Sequence, residues 1–589
     1  MNKYSKERKA LQKSGDIPSW YTTQGYQLFK EKYQWAETPR KQYEAIAATA
    51  AGWLKFTKWE DEAYDQFFNL LWSGWLSPST PILANMGTAR GLPVSCSGGY
   101  IDDSIDGFYT SRRETAILTK HGFGTSGYLG DIRGRGSNIS IGGVASGILP
   151  VFRGFVRDMQ EVSQGATRRG AWAGYLPLDH GDFDELCDLL HTSDDDLNVG
   201  WVVTDKFNYM LGRSIEVLES VGLKPEDFTL SLLNQFNANT EEYLALDTLR
   251  RYQKAIKVKM ITGKGYFFFV DKANKHRPEC YKELGLDIKA SNLCTEIMLH
   301  SSEDYTFTCV LSSMNLAEYD EWRDTEAVFW ATLFLDCVAE EFIWRAKDIP
   351  GLEKAVAFTE KGRALGLGVC GLHTLFQQRG LPFDSLEAQF LNDEVFRELK
   401  QKTMVASHLM ASEMGEPEWC YTTGRRNTHL LAIAPTKSTA LIMGGISEGI
   451  NPDPAMVYTQ ATSAGEVERV NPRLLKLMKE RGVYNEETIN RIAENYGGIQ
   501  KENWLTKDEK RVFRTAFEID QRVIIRLASQ RQRYVDQGQS INLFFSADAE
   551  EEYISEVHQQ AFNDENILSL YYCYSTKQSV NPKGCESCQ

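Results

Sequence analysis

The pentapeptide Asn292-Leu293-Cys294-Thr295-Glu296 decides the fold and the chemistry that this sequence predicts. In an extended strand, alternate side chains point the same way, so the amide, thiol and carboxylate of this segment would share one face. A sulfur flanked by a hydrogen-bonding amide and a possible general base is a candidate reactive group. Taken alone, however, the segment is better explained as a buried cysteine that packs in a strand.

Two further cysteines lie in similar surroundings. Cys309 lies in the strand-like run Phe307-Thr308-Cys309-Val310-Leu311, and Cys96 follows the small-residue turn Ser77-Pro78-Ser79-Thr80-Pro81. Neither has the spacing of zinc ligands. Core packing explains each of them when it is considered singly.

The last cysteine pair, Cys585 and Cys588, belongs to a polar segment with almost nothing to bury. We predict a mobile, redox-active tail over residues 573–589. Two cysteines with no histidine after them make a poor zinc site, so the pair favours dithiol exchange over metal binding.

Around these cysteines, short apolar runs alternate with glycine-rich turns and helical patterns. The predicted strands are residues 95–101, 142–150, 266–270, 306–311, 366–371 and 430–433. The predicted helices include residues 325–345, 386–414 and 507–533. The alternation predicts an α/β fold, with one large barrel-like body over residues 77–572.

The first 76 residues predict a helical segment. Thr38-Pro39 is an N-cap followed by proline at the first helical position, and Tyr43 and Ile46 then recur at helical spacing. A second helix carries Tyr64 and Phe67. These apolar positions are expected to be core.

The composition limits the classes of partner. The chain has 589 residues and a formal net charge of −15, which repels phosphate backbones and argues against nucleic-acid binding. A small phosphorylated substrate could still bind in a local pocket. No signal peptide or membrane span is recognised, so a cytoplasmic location is expected. Most of the 11 cysteines should then be free thiols.

Two loops could contact phosphate groups. The segment Pro435-Thr436-Lys437-Ser438-Thr439 opens a predicted helix and offers hydroxyls and backbone amides. The basic loop at residues 163–170, which includes Arg168, could meet anions or be an ordinary solvated turn. For Tyr571-Tyr572, the simplest interpretation is one core tyrosine and one surface tyrosine, because adjacent residues of a strand face opposite sides.

Together these residues resemble the catalytic subunits of class I ribonucleotide reductases. The shared elements occur in the family's order from Thr80 to the C-terminus, namely Ser79-Thr80-Pro81 with Ser95-Cys96, Asp103-Ser104-Ile105, Ser163-Gln164-Gly165, the 292–296 pentapeptide, Cys309, residues 363–371, residues 435–440, Tyr571-Tyr572 and the tail pair. Each element is weak alone, but nine in register are very specific. The resemblance implies the ten-stranded α/β barrel that these reductases share with glycyl radical enzymes.

The resemblance also implies roles for the residues. Cys294 would be the thiyl radical that removes the 3′-hydrogen of the ribose, and Cys96 and Cys309 would be the reductant pair. Glu296 would take the 3′-hydroxyl proton and Asn292 would bind the sugar. The remaining roles are radical transfer for Tyr571 and Tyr572, re-reduction for Cys585 and Cys588, and substrate binding for Thr80, Ser95, Pro435, Thr436, Lys437, Ser438 and Thr439.

Several partners follow from the same resemblance. A deoxynucleoside triphosphate or ATP, with Mg²⁺, would bind a specificity site that includes Asp103, Ser104, Ile105, Arg133 and Arg168, at the interface of a homodimer. No metal or tightly bound cofactor is expected in this chain. A metal-containing small subunit would supply the radical to a ribonucleoside diphosphate reductase, and thioredoxin or glutaredoxin would reduce the tail.

One departure from the family concerns the N-terminus. Many members begin with an ATP-cone of about a hundred residues, whereas here Thr80 arrives after a short helical segment, so we expect a form without that domain. Alternatives are an adenosylcobalamin-dependent class II reductase, against which Tyr571-Tyr572 argues, and an inactive nucleotide-binding regulator. A glycyl radical enzyme is less consistent, because the C-terminal region carries a dithiol and lacks the glycine-radical loop.

Overall fold

The N-terminal region is helical. The structure, a computed structural model, describes residues 3–140, 142–164, 168–193, 197–462 and 465–575. The first helices are α1 (Lys3–Ser14), α2 (Thr23–Leu28), α3 (Pro39–Ala51) and α4 (Glu60–Trp72), with a π-helical turn at Phe29–Tyr33. The predicted N-cap is confirmed, because the Thr38 side chain accepts a hydrogen bond from the Lys41 amide at 3.3 Å.

The first half of the barrel is a parallel β/α unit. The strands in this part of the chain are β1 (Leu76–Pro78), β2 (Cys96–Tyr100), β3 (Gly124–Tyr128), β4 (Ser163–Gln164), β5 (Arg168–Arg169), β6 (Trp172–Pro177), β7 (Asn198–Val203) and β8 (Tyr266–Phe269). Of these, β4 and β5 form a short antiparallel pair between α7 and β6. The helices are α5 (Thr80–Asn85), α6 (Ile105–Lys120), α7 (Ile148–Glu161), α8 (Phe183–Thr192), α9 (Asp205–Ser220), α10 (Leu230–Leu233) and α11 (Glu241–Thr262). Strands β2, β3, β6, β7 and β8 pair in parallel in that order.

The second half begins with an antiparallel junction. Helices α12 (Val270–His276) and α13 (Glu279–Leu284) precede β9 (Phe307–Asn315), which pairs antiparallel with β2 and with β1. Helices α14 (Tyr319–Trp322), α15 (Ala327–Ala346) and α16 (Glu353–Gly362) lead to β10 (Leu365–Cys370), which pairs in parallel with β9. Helices α17 (Leu372–Gln378), α18 (Leu386–Met414) and α19 (Lys437–Ile442) follow.

The remaining elements form a side lobe and the closing strands. The lobe contains the hairpin β11 (Val457–Thr462) and β12 (Gly465–Val470) with α20 (Pro472–Glu480), α21 (Glu486–Glu494) and α22 (Lys507–Val512). The chain then forms α23 (Gln521–Gln532), β13 (Leu543–Phe545), α24 (Glu551–Asn563), β14 (Ser569–Leu570) and β15 (Cys573–Ser575). The lobe has its own apolar cluster around Met456, Leu474 and Ile492.

Backbone hydrogen bonds run around a complete circuit, so the sheet is closed. Beyond β10, the extended residues 429–433 bond to Leu365 and Leu367, and residues 537–540 bond to residues 431–433. Residues 569–575 complete the ring, because β14 pairs with β8 and β15 pairs with β13. The five parallel strands of the first half are therefore matched by five extended segments of the second half, which are β9, β10 and residues 429–433, 537–545 and 569–575. This confirms the predicted ten-stranded barrel.

Most predicted helices and strands are confirmed, and several predictions outside residues 292–296 need correction. Tyr64 on α4 was expected to be core but is 39% exposed. Residues 142–150 are not a strand, because Gly142 and Gly143 have positive φ and α7 begins at Ile148. Residues 507–533 form two helices, because a capped 3₁₀ turn at Ala516–Glu518 separates α22 from α23. The first three residues of the predicted tail belong to the fold, since β15 runs to Ser575 and Cys573 is buried, and the rest of that prediction lies outside the described residues.

No helix in the described ranges is long and apolar enough to cross a lipid bilayer.

Candidate active site

The segment that carries Cys294 is a turn inside the barrel, and the strand predicted for it is wrong. The Thr295 amide bonds to the Asn292 carbonyl at 3.3 Å, and Thr295 has a φ of 67°. A left-handed residue ends the alternation of an extended strand. Asn292, Cys294 and Glu296 are all buried, so burial of the three side chains does not depend on a shared strand face.

Both halves of the barrel hold this turn through its backbone carbonyls. From the first half, the Tyr175 hydroxyl donates to the Asn292 carbonyl at 2.5 Å and the Ser126 hydroxyl donates to the Ser291 carbonyl at 2.8 Å. From the second half come three donors, namely the Ser540 hydroxyl to Cys294 at 2.7 Å, the Ser569 hydroxyl to Thr295 at 2.9 Å and the Gly538 amide to Glu296 at 2.8 Å. The turn is therefore fixed on two sides.

Cys96 and Cys309 meet on adjacent strands beside the turn. They are directly opposite each other where β2 pairs antiparallel with β9. Opposite residues in such a pair have Cα atoms about 4.5–5.5 Å apart, which lies within the range of about 4.4–6.8 Å that a disulfide requires. The Asn292 side-chain amide donates to the Cys96 sulfur at 3.3 Å, which links this pair to the Cys294 turn.

Burial keeps Cys309 in the thiol form. Cys309 is fully buried, and this desolvation raises the pKa of its thiol well above the ordinary value. The Gln537 side-chain amide donates to the Cys309 sulfur at 3.4 Å and fixes its orientation. A neutral thiol can donate a hydrogen atom or a proton, whereas a thiolate is the form suited to nucleophilic attack.

Glu296 is a buried carboxyl group with unused hydrogen-bonding capacity. Burial raises its pKa to about 7. The Ser540 hydroxyl lies 3.3 Å from Oε2, while Oε1 has no hydrogen-bond partner among the described residues. A carboxyl group titrating near neutrality, with one free oxygen, is suited to take a proton from a substrate hydroxyl.

Tyr571 and Tyr572 are both buried, which corrects the simplest interpretation of one core and one surface tyrosine. Their ring centroids are 4.3 Å apart, and both rings belong to the apolar cluster that contains Cys294. Tyr266 contacts both, at 4.8 Å and 5.4 Å, and its hydroxyl lies 3.2 Å from the Tyr572 hydroxyl. Tyr574 stacks on Tyr572 at 5.6 Å and is only partly buried, so aromatic contacts lead from the cluster toward the surface.

The 435–439 loop begins beside Cys96 and Cys309. Ala434 lies in the same apolar cluster as Cys96 and Cys309. Thr436 has a φ of 53° and its hydroxyl accepts the Gly449 amide at 2.8 Å, so the loop has a fixed bend before α19. The Ser95 hydroxyl, next to Cys96, has no partner among the described residues. Thr80 is also buried, at the first turn of α5 after β1.

Comparison with known proteins identifies the family of the chain. A family model described as the ribonucleotide reductase barrel domain matches residues 94–422 and 418–573, and one described as the all-alpha domain matches residues 19–91. The chain belongs to the ribonucleotide reductase family. It is a large subunit of the class I type, and no ATP-cone model matches it.

Relatives of similar length support this assignment to the reductases. A Frog virus 3 protein named as a ribonucleoside-diphosphate reductase large subunit is 34% identical over 88% of this chain and 89% of its own. The large subunit of Invertebrate iridescent virus 3 is 28% identical over 96% of this chain and 97% of its own. The class Id alpha subunit of Actinobacillus ureae is 36% identical, with a TM-score of 0.81 over 97% of this chain and 99% of that one.

The predicted effector residues of this reductase lie on its surface. Arg133 donates to Asp103 at 2.5 Å, and Ser104 caps α6 by accepting the Gly107 amide at 2.9 Å. Ile105 is 72% exposed. The Arg168 side chain lies outside the described part of the chain, as do Cys585 and Cys588.

Sequence reasoning missed several residues of this reductase site. Tyr266 lies in the run Tyr266-Phe267-Phe268-Phe269, where it looks like one more core aromatic. Gln537 and Ser540 follow α23 in a polar stretch that reads as a loop. The run Gln537-Gly538-Gln539-Ser540 could have indicated these residues. Polar side chains in a largely buried region must find hydrogen-bond partners inside the protein.

Proposed function

We propose that this chain is the catalytic subunit of a class I ribonucleotide reductase that reduces ribonucleoside diphosphates to deoxyribonucleotides in the cytoplasm. The observation that carries the proposal is the arrangement of three buried cysteines within one barrel. Two are directly opposite each other on antiparallel strands, and the third lies on an internal turn beside a carboxyl group that titrates near pH 7.

The chemistry follows from the protonation states of these groups. A thiyl radical at Cys294 removes the 3′-hydrogen of the ribose, and the Glu296 carboxylate accepts the 3′-hydroxyl proton. The 2′-hydroxyl leaves as water, with two protons and two electrons coming from the thiols of Cys96 and Cys309, which become a disulfide. Cys294 then returns a hydrogen atom to C3′, Glu296 returns the proton to O3′, and both groups are restored. The closed, buried interior supports this assignment, because radical intermediates must be kept from other reductants.

Substrate binding is assigned to the polar groups around the cysteines. Asn292 and the Ser95 hydroxyl, which has no partner among the described residues, would contact the sugar together with Thr80. The segment 435–439 would hold the diphosphate with its hydroxyls, its backbone amides and Lys437. Ala434, in the apolar cluster of the reductant pair, supports the placement of this segment next to the ribose.

Radical supply is assigned to a separate small subunit that contains a metal. The buried Tyr571 and Tyr572, in one cluster with Cys294, support their role as the last steps of a relay. The partly buried Tyr574 supports arrival of the radical from outside the barrel.

Regulation and re-reduction complete the proposal. A deoxynucleoside triphosphate or ATP with Mg²⁺ would bind near Asp103 and Arg133 in a homodimer. The exposed apolar side chains of Ile105 and Tyr109 on α6, at 72% and 64%, support a protein interface there. Cys585 and Cys588 would exchange with the Cys96–Cys309 disulfide and be reduced by thioredoxin or glutaredoxin.

The deciding assay measures deoxycytidine diphosphate formation from cytidine diphosphate by the full-length chain and its Cys294→Ser variant. We expect turnover with a radical-generating small subunit, none with adenosylcobalamin alone and none for the variant, which should still bind nucleotide. Turnover with adenosylcobalamin alone would assign the chain to class II, and turnover by Cys294→Ser would refute the thiyl mechanism.

A further inference from the structure

Lys259 lies fully buried behind the tyrosines of the proposed relay. It belongs to α11, and its ammonium group donates to the backbone carbonyl of Tyr571 and, at 3.1 Å, to that of Gly265. Gly265 directly precedes Tyr266 on β8. One side chain thus joins the backbone at Tyr571 to the backbone beside Tyr266, the two tyrosines whose ring centroids are 4.8 Å apart.

In the part of the chain that the structure describes, no opposite charge balances this ammonium group. No carboxylate among the described residues lies within ion-pair distance of Lys259. Its nitrogen lies 6.0 Å from the Tyr266 ring centroid and 5.6 Å from that of Phe267. The titratable groups that face it from the other packed elements are Cys573 on β15 and His558 on α24. Burial lowers the pKa of Lys259 to about 8, so the charged form predominates at neutral pH.

A buried charge without a counter-ion is costly, so its position needs an explanation. Lys272 provides a comparison within the same protein. It is also buried, its pKa is lowered to about 8 by burial, and it donates to the carbonyls of Ala561, Phe562 and Asp564. Its ring contact is Phe269, and none of the described residues that it bonds to is a tyrosine. The two lysines share a structural task, but only Lys259 bonds to the backbone of a relay tyrosine.

We propose that Lys259 is a positioning residue of radical transfer, which holds Tyr571 in register with Tyr266, Tyr572 and Cys294. The inference rests on the proposed relay and adds a residue to it. Transfer between phenols depends steeply on their separation, and a misplacement of about 1 Å at a reacting group can cost on the order of 100-fold in rate. The ammonium charge also opposes loss of an electron from Tyr571 before its proton has left, because a second positive charge nearby is unfavourable in a medium of low polarity.

The test compares Lys259→Met with Lys272→Met in the full-length chain, assayed with the small subunit. Both changes remove a buried ammonium group and keep an unbranched side chain, so both should lower the melting temperature and leave nucleotide binding intact. We expect kcat of Lys259→Met to fall on the order of 100-fold with an unchanged KM, whereas Lys272→Met keeps most of the wild-type kcat. Equal losses of kcat in the two variants would overturn the proposal.

A pH profile separates the charge from the packing. We expect the wild-type and Lys272→Met kcat to fall as pH rises through about 8, where the Lys259 ammonium group loses its proton. Lys259→Gln should lack this fall. A flat wild-type profile up to pH 9.5, or a fall retained in Lys259→Gln, would refute the proposal even if Lys259→Met fails to fold. An active Tyr571→Phe variant would instead refute the relay itself, so the two failures are distinguishable.

Discussion

At the scale of single residues, burial determines which groups hold protons at neutral pH. The Glu296 carboxyl group and the Cys309 thiol both have raised pKa values because the barrel interior disfavours their charged forms. Glu296 reaches about 7, so it is partly ionised near neutrality, whereas Cys309 stays protonated. The same buried interior thus leaves Glu296 able to accept a proton and Cys309 able to donate a hydrogen atom.

This burial predicts an opposition between activity and stability at Glu296. The folded carboxyl group binds its proton up to about pH 7, whereas the unfolded one releases it near 4.5, so its contribution to the free energy of unfolding is full below pH 4.5 and is lost as pH rises through 7. Glu296→Gln removes this loss. Between pH 4.5 and pH 8 the variant should gain about 3 kcal/mol relative to the wild type, while activity disappears.

Urea unfolding at the two pH values measures the gain, and the reductase assay measures the loss. Glu114→Gln is the matched control, because burial also raises the pKa of Glu114 to about 7 and the residue lies on α6 outside the barrel. It should reproduce the stability effect and keep activity. Activity in Glu296→Gln comparable to that of Glu114→Gln would contradict the assignment of the base.

At the scale of elements, the pairing of β2 with β9 predicts a disulfide that needs little movement. After one turnover without a reductant, Cys96 and Cys309 should be joined, because they are directly opposite across the ladder. Alkylation of the remaining thiols followed by peptide mass analysis measures this. Cys370, buried on β10, is the internal control and should still be alkylated. A different disulfide in the oxidised enzyme would refute the pair.

For the closing segment 569–575, we predict that two tyrosine variants will fold but will be inactive. Tyr571→Phe and Tyr572→Phe keep the ring contacts and remove only a hydroxyl, which should cost stability on the order of 1 kcal/mol. Loss of the hydroxyl should abolish turnover, because the proton and electron of the phenol move together. Tyr252→Phe is the control, since Tyr252 is buried on α11 and its hydroxyl has no partner among the described residues. Near-normal turnover in both relay variants would contradict radical transfer through them.

Local sequence signals predicted elements whose own run of residues has the apolar pattern of a helix or a buried strand. The pattern at residues 386–414 reproduces the bounds of α18, and the apolar run before Val270 reproduces β8. The turn at residues 292–296 could not be predicted in this way, because its conformation depends on donors such as Tyr175 and Ser540 that are remote in sequence. Its residue types identified the candidate site, but only the closed barrel defines its shape.

At the scale of the whole molecule, the proposed function assigns repeated turnover to the predicted tail with Cys585 and Cys588. Full-length protein with Cys585→Ser and Cys588→Ser should complete about one turnover from the prereduced state and then stop with thioredoxin, because protein reductants do not fit into the barrel interior. A small dithiol should restore part of the rate. Cys187→Ser, which changes a buried thiol on α8, should turn over normally. Unchanged thioredoxin-driven turnover in the tail variant would remove the tail from the mechanism.

The circuit of strands also has a consequence for biosynthesis. Residues 569–575 complete the barrel, although Cys96, Cys294 and Cys309 are synthesised long before them. Until that segment leaves the ribosome, the nascent sheet has two unpaired edges, and β2 must wait for β9, about 200 residues later, before the halves can join. We therefore expect slow folding of the released chain and a need for chaperones during translation. The same order protects the cell, since an unfinished polypeptide has no enclosed cavity in which to generate a radical.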